Sequence, residues 1–261
     1  MNLQLTGKNA LICGSSRGIG KASAIALAEA GANITLTARS EEALLSAIEE
    51  LDVSQGQQHD FMLADFSNPQ ELKELIYHQL KEITYQILVN NTGGPAAGNI
   101  IDATTDQFES AFRNHLICNH LLATALLQGM KKSGYGRIIN IISTSVKVPL
   151  KGLGVSNTIR GAVANWSKTL ANELAIFGIT VNNVLPGATN TDRLQEIIRG
   201  NAVKKGKTVE DIENEMLADI PMQRFADASE VAAAVAFLAS PAAGYITGVN
   251  VPVDGGRTGS L

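Results

Sequence analysis

The chain has 261 residues, 45% of them hydrophobic, enough for one sizeable core or two small ones. Its 21 Lys and Arg against 25 Asp and Glu leave a net charge of −4, no electrostatic footprint for nucleic acid or an anionic membrane, so small-molecule ligands are expected. Cys13 and Cys118 lie far apart and in no metal-ligand or C-x-x-C spacing, so we expect no disulfide and no metal site, only buried thiols of a reducing compartment.

The opening MNLQLTGKNALIC lacks a basic segment followed by a long apolar one, and no apolar run nears the roughly 18 residues of a membrane span, which predicts a cytoplasmic protein. Short apolar runs then alternate with helix-period segments. NALIC (9–13) precedes GKASAIALAEA (20–30), NITLTA (33–38) precedes SEEALLSAIEEL (40–51), and HDFMLA (59–64) precedes PQELKELIYHQL (69–80). QILVN (86–90) is followed by a long helix near 105–131, RIINIIS (137–143) by another near 156–177, and ITVNNVL (179–185) closes the series. Strands that are almost continuously apolar are buried on both faces, so this alternation predicts an α/β protein with a doubly wound parallel sheet between two helical layers.

No Pro/Gly/Ser linker or composition break divides the chain, so residues 1–261 read as a single domain. Segment 192–226 breaks the rhythm: it is polar, helix-prone and basic. It follows the C-terminal end of a strand, where open α/β sheets bind ligands, so a substrate lid is expected there, with a plain solvated helical excursion as the competing reading.

Between the first strand and first helix, LICGSSRGIG sets Gly14, Gly18 and Gly20 at a tight turn. Such a turn needs unrestricted φ, a pyrophosphate needs close approach to the backbone, and the helix N-terminus offers free N–H groups and a positive dipole end. The pattern predicts a dinucleotide site.

This G-x-x-x-G-x-G spacing resembles that of the short-chain dehydrogenase/reductase family, and the likeness extends over essentially the whole chain. Cys13-Gly14 stands where that family usually has T-G. LADFSN, with Asp65 and Phe66, resembles the segment that reads adenine, and LVNNTGG, with Asn90, Asn91 and Gly93, resembles the N-N-A-G segment at the sheet centre. VLPGATNTD, with Pro186, Gly187, Thr189 and Thr191, resembles the P-G loop that holds the nicotinamide carboxamide; IPMQRFADASEVAAAVAFLAS and YITGVNVPVDGG complete the match. The resemblance implies a three-layer Rossmann-type fold, a cofactor cradled by Ser16, Arg17 and Ile19 among the loop glycines, and a homodimer or homotetramer.

An acidic residue after the second strand usually marks NAD(H), whereas a 2′-phosphate needs cations. Here TLTARSEE places Arg39 after that strand and the glycine loop carries Arg17, which favours NADP(H) over NAD(H). The competing reading has Arg39 pairing with Glu41 and Glu42 on the surface.

The family's proton-transfer apparatus is a helical Asn, a strand-end Ser, a Tyr thirteen residues on and a Lys four beyond it. Asn114 and Ser143 match the first two positions, but the others are Ser156 and Arg160. Positions i and i+4 still share one helical face. A phenol near pKa 10 can be tuned toward neutrality by a cation; a serine hydroxyl cannot and is too short to reach the same point. Arginine keeps a charge and forked donors for the nicotinamide ribose but does not exchange its proton at physiological pH. The arrangement with Tyr six before the basic residue, as in enoyl reductases, also fails, because that position is Gly154.

Substitute proton donors are Lys147, Lys151, His115 or a water between Ser143, Ser156 and Arg160. Each lysine also reads as a solvated loop residue, and His115 as a packing or interface residue; Tyr135 and Tyr245 receive no role. Ala162, Trp166, Leu170 and Leu174 form a helical stripe for the core or a subunit interface. Lys204, Lys205 and Lys207, with Arg193 and Arg199, are surface charge or a receiver for an anionic thioester. Two functions follow. One is an atypical NADP(H)-dependent oxidoreductase similar to 3-oxoacyl thioester reductases and sugar or alcohol dehydrogenases, and the other a catalytically impaired NADP(H)-binding sensor or partner subunit.

Overall fold

The computed structural model describes residues 1–260. Among them, seven parallel strands form one sheet in the order β3-β2-β1-β4-β5-β6-β7: β1 Asn9–Cys13, β2 Asn33–Ala38, β3 Asp60–Leu63, β4 Ile87–Asn90, β5 Gly136–Ile141, β6 Ile179–Pro186 and β7 Asn250–Val253. The strand order reverses between β1 and β4, and the crevice beyond their C-terminal ends is the expected ligand position.

Successive residues of a strand point to opposite faces, and the core divides accordingly. Ala10 and Ile12 pack with α1 (Gly18–Glu29), α2 (Glu41–Ile48) and α9 (Ala228–Ala239), while Leu11 and Cys13 pack with α3 (Pro69–Gln79), α5 (Cys118–Ser133) and α6 (Gly154–Leu174). The doubly wound, three-layer α/β fold expected from the alternation is therefore the observed one. Both thiols are free and buried, and their ionisation is strongly disfavoured by burial. Among the described residues no helix is long and apolar enough to cross a membrane and no side-chain cluster could hold a metal ion.

Asparagines tie the sheet centre together. Asn90 donates to Asn140 at 2.8 Å, Asn140 to Asn183 at 3.0 Å, and Asn183 to Asn250 at 2.8 Å, each pair in register on neighbouring strands. Each amide nitrogen is thereby satisfied by the next side-chain oxygen, and the buried Asn90 Oδ1 at the start of the series is left without a partner among the described residues.

The long helix expected near 105–131 is interrupted. Helix α4 (Thr105–Phe112) passes through a π-helical turn at Arg113–Ile117, closed by the Cys118 N–H on the Arg113 carbonyl, before α5 begins. π turns inside α-helices concentrate at functional sites, and Asn114 lies in this one. Segment 192–226 forms α7 (Asp192–Lys205) and α8 (Val209–Ala218), packed around Leu194, Ile198 and Ile212, then returns to the body through the paired backbone of Thr189 and Ala226.

Candidate active site

The glycine loop is nested against the end of β4. A Cβ at Gly14 would collide with the Asn91 carbonyl oxygen, and one at Gly20 with the Gly14 carbonyl oxygen; Gly14 and Gly18 also have φ of +57° and +58°. Asn91 Nδ2 donates to the Gly14 carbonyl at 3.0 Å and the Cys13 carbonyl at 3.3 Å. The loop is thus fixed against the Asn91 segment. The N-cap of α1, Arg17, makes no side-chain capping bond and the first turn holds no acid, whereas α2, α3, α4, α7 and α8 are capped by Ser or Thr hydroxyls or Asn. The free N–H groups and dipole end of α1 suit a phosphate.

Thr191 caps α7 through Leu194 N–H, and its methyl group lies 3.4 Å from where a Gly18 Cβ would be, so the Pro186–Gly187 loop and the glycine loop meet. Gly187 donates to the Val253 carbonyl at 2.9 Å, and Thr189 is buried with its hydroxyl on the Gly187 carbonyl at 3.3 Å. Ser16 and Ile19 are half-buried along the loop, and Gly93 faces open space. In the segment that resembles an adenine reader, the Asp65 carboxylate accepts from Ser67 N–H at 2.9 Å, which, with Arg39 nearby, holds its pKa below the usual range. Phe66 is half-buried beside it and uses its carbonyl to receive Cys118 Sγ at 3.2 Å.

Arg39 is exposed and forms no ion pair among the described residues, so the pairing with Glu41 or Glu42 is not present; those two acids lie in the first turn of α2, capped by Ser40. Arg17 is not free: its Nη1 lies 3.4 Å from Asp192 Oδ2 at the start of α7, with both side chains about seven-tenths exposed. Arg193, one residue on, donates to the Pro95 carbonyl at 3.1 Å, so α7 spans from the glycine loop to the loop after β4. Of the basic run, Lys205 and Lys207 both pair with Glu215, which removes much of its pull on an anionic ligand.

Ser143 follows the last residues of β5, and its hydroxyl accepts from Ser145 N–H at 3.1 Å. With its amide nitrogen turned toward them, Asn114 donates to the Phe66 carbonyl at 3.0 Å and the Ser110 carbonyl at 3.3 Å. Ser156 is half-buried in the first turn of α6 and makes no side-chain hydrogen bond among the described residues. Arg160 is buried; Nη1 donates to the Ile141 carbonyl at 2.9 Å and Nη2 to the Thr92 carbonyl at 3.5 Å, and burial lowers its pKa to about 10.

Two further residues belong to this cluster. His115 is 2% exposed, and its Nδ1 lies 2.5 Å from Thr92 Oγ1. Burial first and the Arg160 charge second push its pKa down to about 3, so the ring is neutral. Of the sequence expectations for His115, the packing role holds and the interface role does not. Thr92 stands at the alanine position of the N-N-A-G resemblance, the one signal in the sequence that pointed here. A cavity of about 300 Å³ opens beside Gly93, Gly94, Pro95, Asn114 and His115; another, of about 400 Å³, is walled by Met222 and Arg224 of segment 192–226 with Glu230 and Gly255, and none of the predicted catalytic or cofactor residues lines it.

Residues 14–258 match a family model described as enoyl-(acyl carrier protein) reductase. The chain is 35% identical to the 3-oxoacyl-(acyl-carrier-protein) reductase FabG of Vibrio cholerae over 259 residues, covering 97% of this chain and 98% of that protein. It is 28% identical to the NADPH-dependent reductase BacG of Bacillus subtilis, covering 97% and 99%. The crystal structure of L-sorbose reductase from Gluconobacter frateurii, complexed with NADPH and L-sorbose, superposes with a TM-score of 0.93 at 30% identity, covering 100% of both chains.

Proposed function

This chain belongs to the short-chain dehydrogenase/reductase family of oxidoreductases, and from that premise we propose that it is an atypical NADP(H)-dependent reductase of a carbonyl compound. The observation that carries the reading is the fit of the glycine loop to a pyrophosphate: Gly14 and Gly20 pressed against the Asn91 segment under the uncapped start of α1. Arg39, unpaired, and Arg17, held only by an exposed ion pair with Asp192, would receive the 2′-phosphate. Asp65 and Phe66 would flank the adenine, Asn91 and Gly93 would line the ribose side, and Pro186, Gly187, Thr189 and Thr191 would hold the carboxamide. Bound there, the cofactor supplies the hydride.

Ser143 would orient the substrate oxygen, Arg160 would hold the nicotinamide ribose and the charge that develops, and Asn114 would order water at the π turn. Ser156 leaves room for water where a phenol would sit, so the proton comes from solvent. Segment 192–226 would act as the lid, and the relatives' small-molecule chemistry extends to this site. Homodimers or homotetramers built on α5 and α6 fit the exposed Ile117 and half-buried Trp166.

The bare Ser156 hydroxyl favours a second reading, an NADP(H)-binding sensor or partner subunit without catalysis. Titration with NADPH and NADH, followed by nicotinamide fluorescence, tests the common ground. Saturable NADPH binding that Gly20→Val abolishes supports it, and absence of binding by either dinucleotide overturns it.

A further inference from the structure

Arg160 is a fixed cation without a protein anion. It is 8% exposed and forms no ion pair among the described residues. Of the five N–H donors of a guanidinium, two are spent on the Ile141 and Thr92 carbonyls, which leaves three. An unpaired charge withdrawn from water is costly to a fold, and the cost is offset when an anion joins it. Gly94 lies between this charge and a cavity: a Cβ there would stand 3.7 Å from Arg160 Nη2, and the same glycine borders the 300 Å³ cavity, whose volume is at the small end for ligand sites.

The side chains around that charge are poor acids. Ser143 and Ser156 offer aliphatic hydroxyls, and His115 is a neutral imidazole packed against Thr92. A ketone reduced at its own carbon becomes an alkoxide, the conjugate base of an acid about as weak as water. A quinone that accepts a hydride becomes a phenolate, whose acid has the pKa of a tyrosine, about 10. The second anion is far less basic and does not need a proton in the transition state.

On the reading of this site as an NADPH-dependent reductase, we propose that its substrate is a quinone-type conjugated acceptor and that Arg160 receives the phenolate formed by hydride addition. The acceptor takes two electrons and one hydrogen nucleus as hydride at one quinone oxygen, forming an O–H bond. The ring π electrons rearrange to the aromatic system, and the far C=O pair moves onto its oxygen as O⁻ opposite the guanidinium. NADPH is oxidised to NADP⁺, and solvent protonates the phenolate, so one quinone, one NADPH and one proton give one hydroquinone and NADP⁺.

The test pairs binding with turnover. 4-Nitrophenol, titrated into the protein with NADP⁺, reports its own ionisation by colour. The native protein binds the phenolate about tenfold to a hundredfold more tightly than Arg160→Gln does, the range of a charge-assisted hydrogen bond, and Arg160→Lys restores most of it. In parallel, NADPH oxidation with 2-methyl-1,4-naphthoquinone exceeds that with cyclohexanone or an acetoacetyl thioester. Equal phenolate binding by native protein and Arg160→Gln, or faster turnover of the simple ketones, overturns the inference while leaving the reductase reading intact. Failure of NADPH to bind overturns both.

Discussion

Arg160 reaches from the second turn of α6 to the carbonyl oxygen of Ile141, 2.9 Å away, and so places a buried charge two residues short of Ser143. A lone interior cation works against stability and for ligand binding. Arg160→Met removes the desolvation cost of an unpaired buried charge, which exceeds the two lost charge-assisted carbonyl hydrogen bonds of about 1.5–3 kcal/mol each. The expected outcome is a melting temperature raised by roughly 2–4 °C for each kcal/mol of net gain, with a smaller upward shift on adding NADPH. Differential scanning calorimetry with and without NADPH reads both, and a lower melting temperature without cofactor would contradict the first.

Arg17 and Arg39 flank the place assigned to the 2′-phosphate. Replacing both with Ala lowers NADPH affinity by about 10-fold to 100-fold for each charge-assisted hydrogen bond removed and leaves NADH affinity nearly unchanged. Asp192→Asn acts in the opposite direction by releasing Arg17. Isothermal titration with each dinucleotide measures the three effects, and equal losses for NADPH and NADH would remove both arginines from the phosphate site.

His115 links the site to pH. Its folded pKa, about 3, lies below the ordinary 6.5, so above pH 6.5 both folded and unfolded states carry a neutral ring and nothing is lost. Below 6.5 the unfolded chain takes up a proton that the folded protein refuses, and stability falls by roughly 1.4 kcal/mol per pH unit until about pH 3. His115→Leu should flatten that limb in urea unfolding midpoints measured across this range. An unchanged slope would mean the ring is protonated in place.

Much of the fold was readable because its signals are local. Apolar runs such as NALIC and ITVNNVL bury both faces, and Gly14 and Gly20 announce a turn that admits no side chain. The π turn at Arg113–Ile117 was not readable, since one residue's slip in a helix leaves the apolar period almost unchanged and is fixed by what the turn packs against. The sequence also could not join Arg17 to Asp192, 175 positions away, or turn His115 inward onto Thr92. The lysine run at 204–207 read as possible ligand charge because its partner, Glu215, comes from the next helix.

Solvent as the proton source makes the loop lysine dispensable. Lys147→Ala should leave NADPH oxidation within a few-fold of native, whereas loss of a true general acid costs about 10² to 10⁴ in rate. Steady-state kinetics at matched NADPH saturation separates the two, and a drop of the larger size would identify Lys147 as the acid.

The central claim is that this site transfers hydride without the tyrosine and lysine of its family. NADPH oxidation measured over 3-oxoacyl thioesters, diketones, sugar ketones and quinones, on the native protein beside the Ser156→Tyr/Arg160→Lys double variant, tests it directly. The account predicts turnover by the native protein with at least one acceptor class. Turnover by the double variant alone would contradict it and make the native chain a dinucleotide-binding protein whose scaffold is intact and whose chemistry is absent.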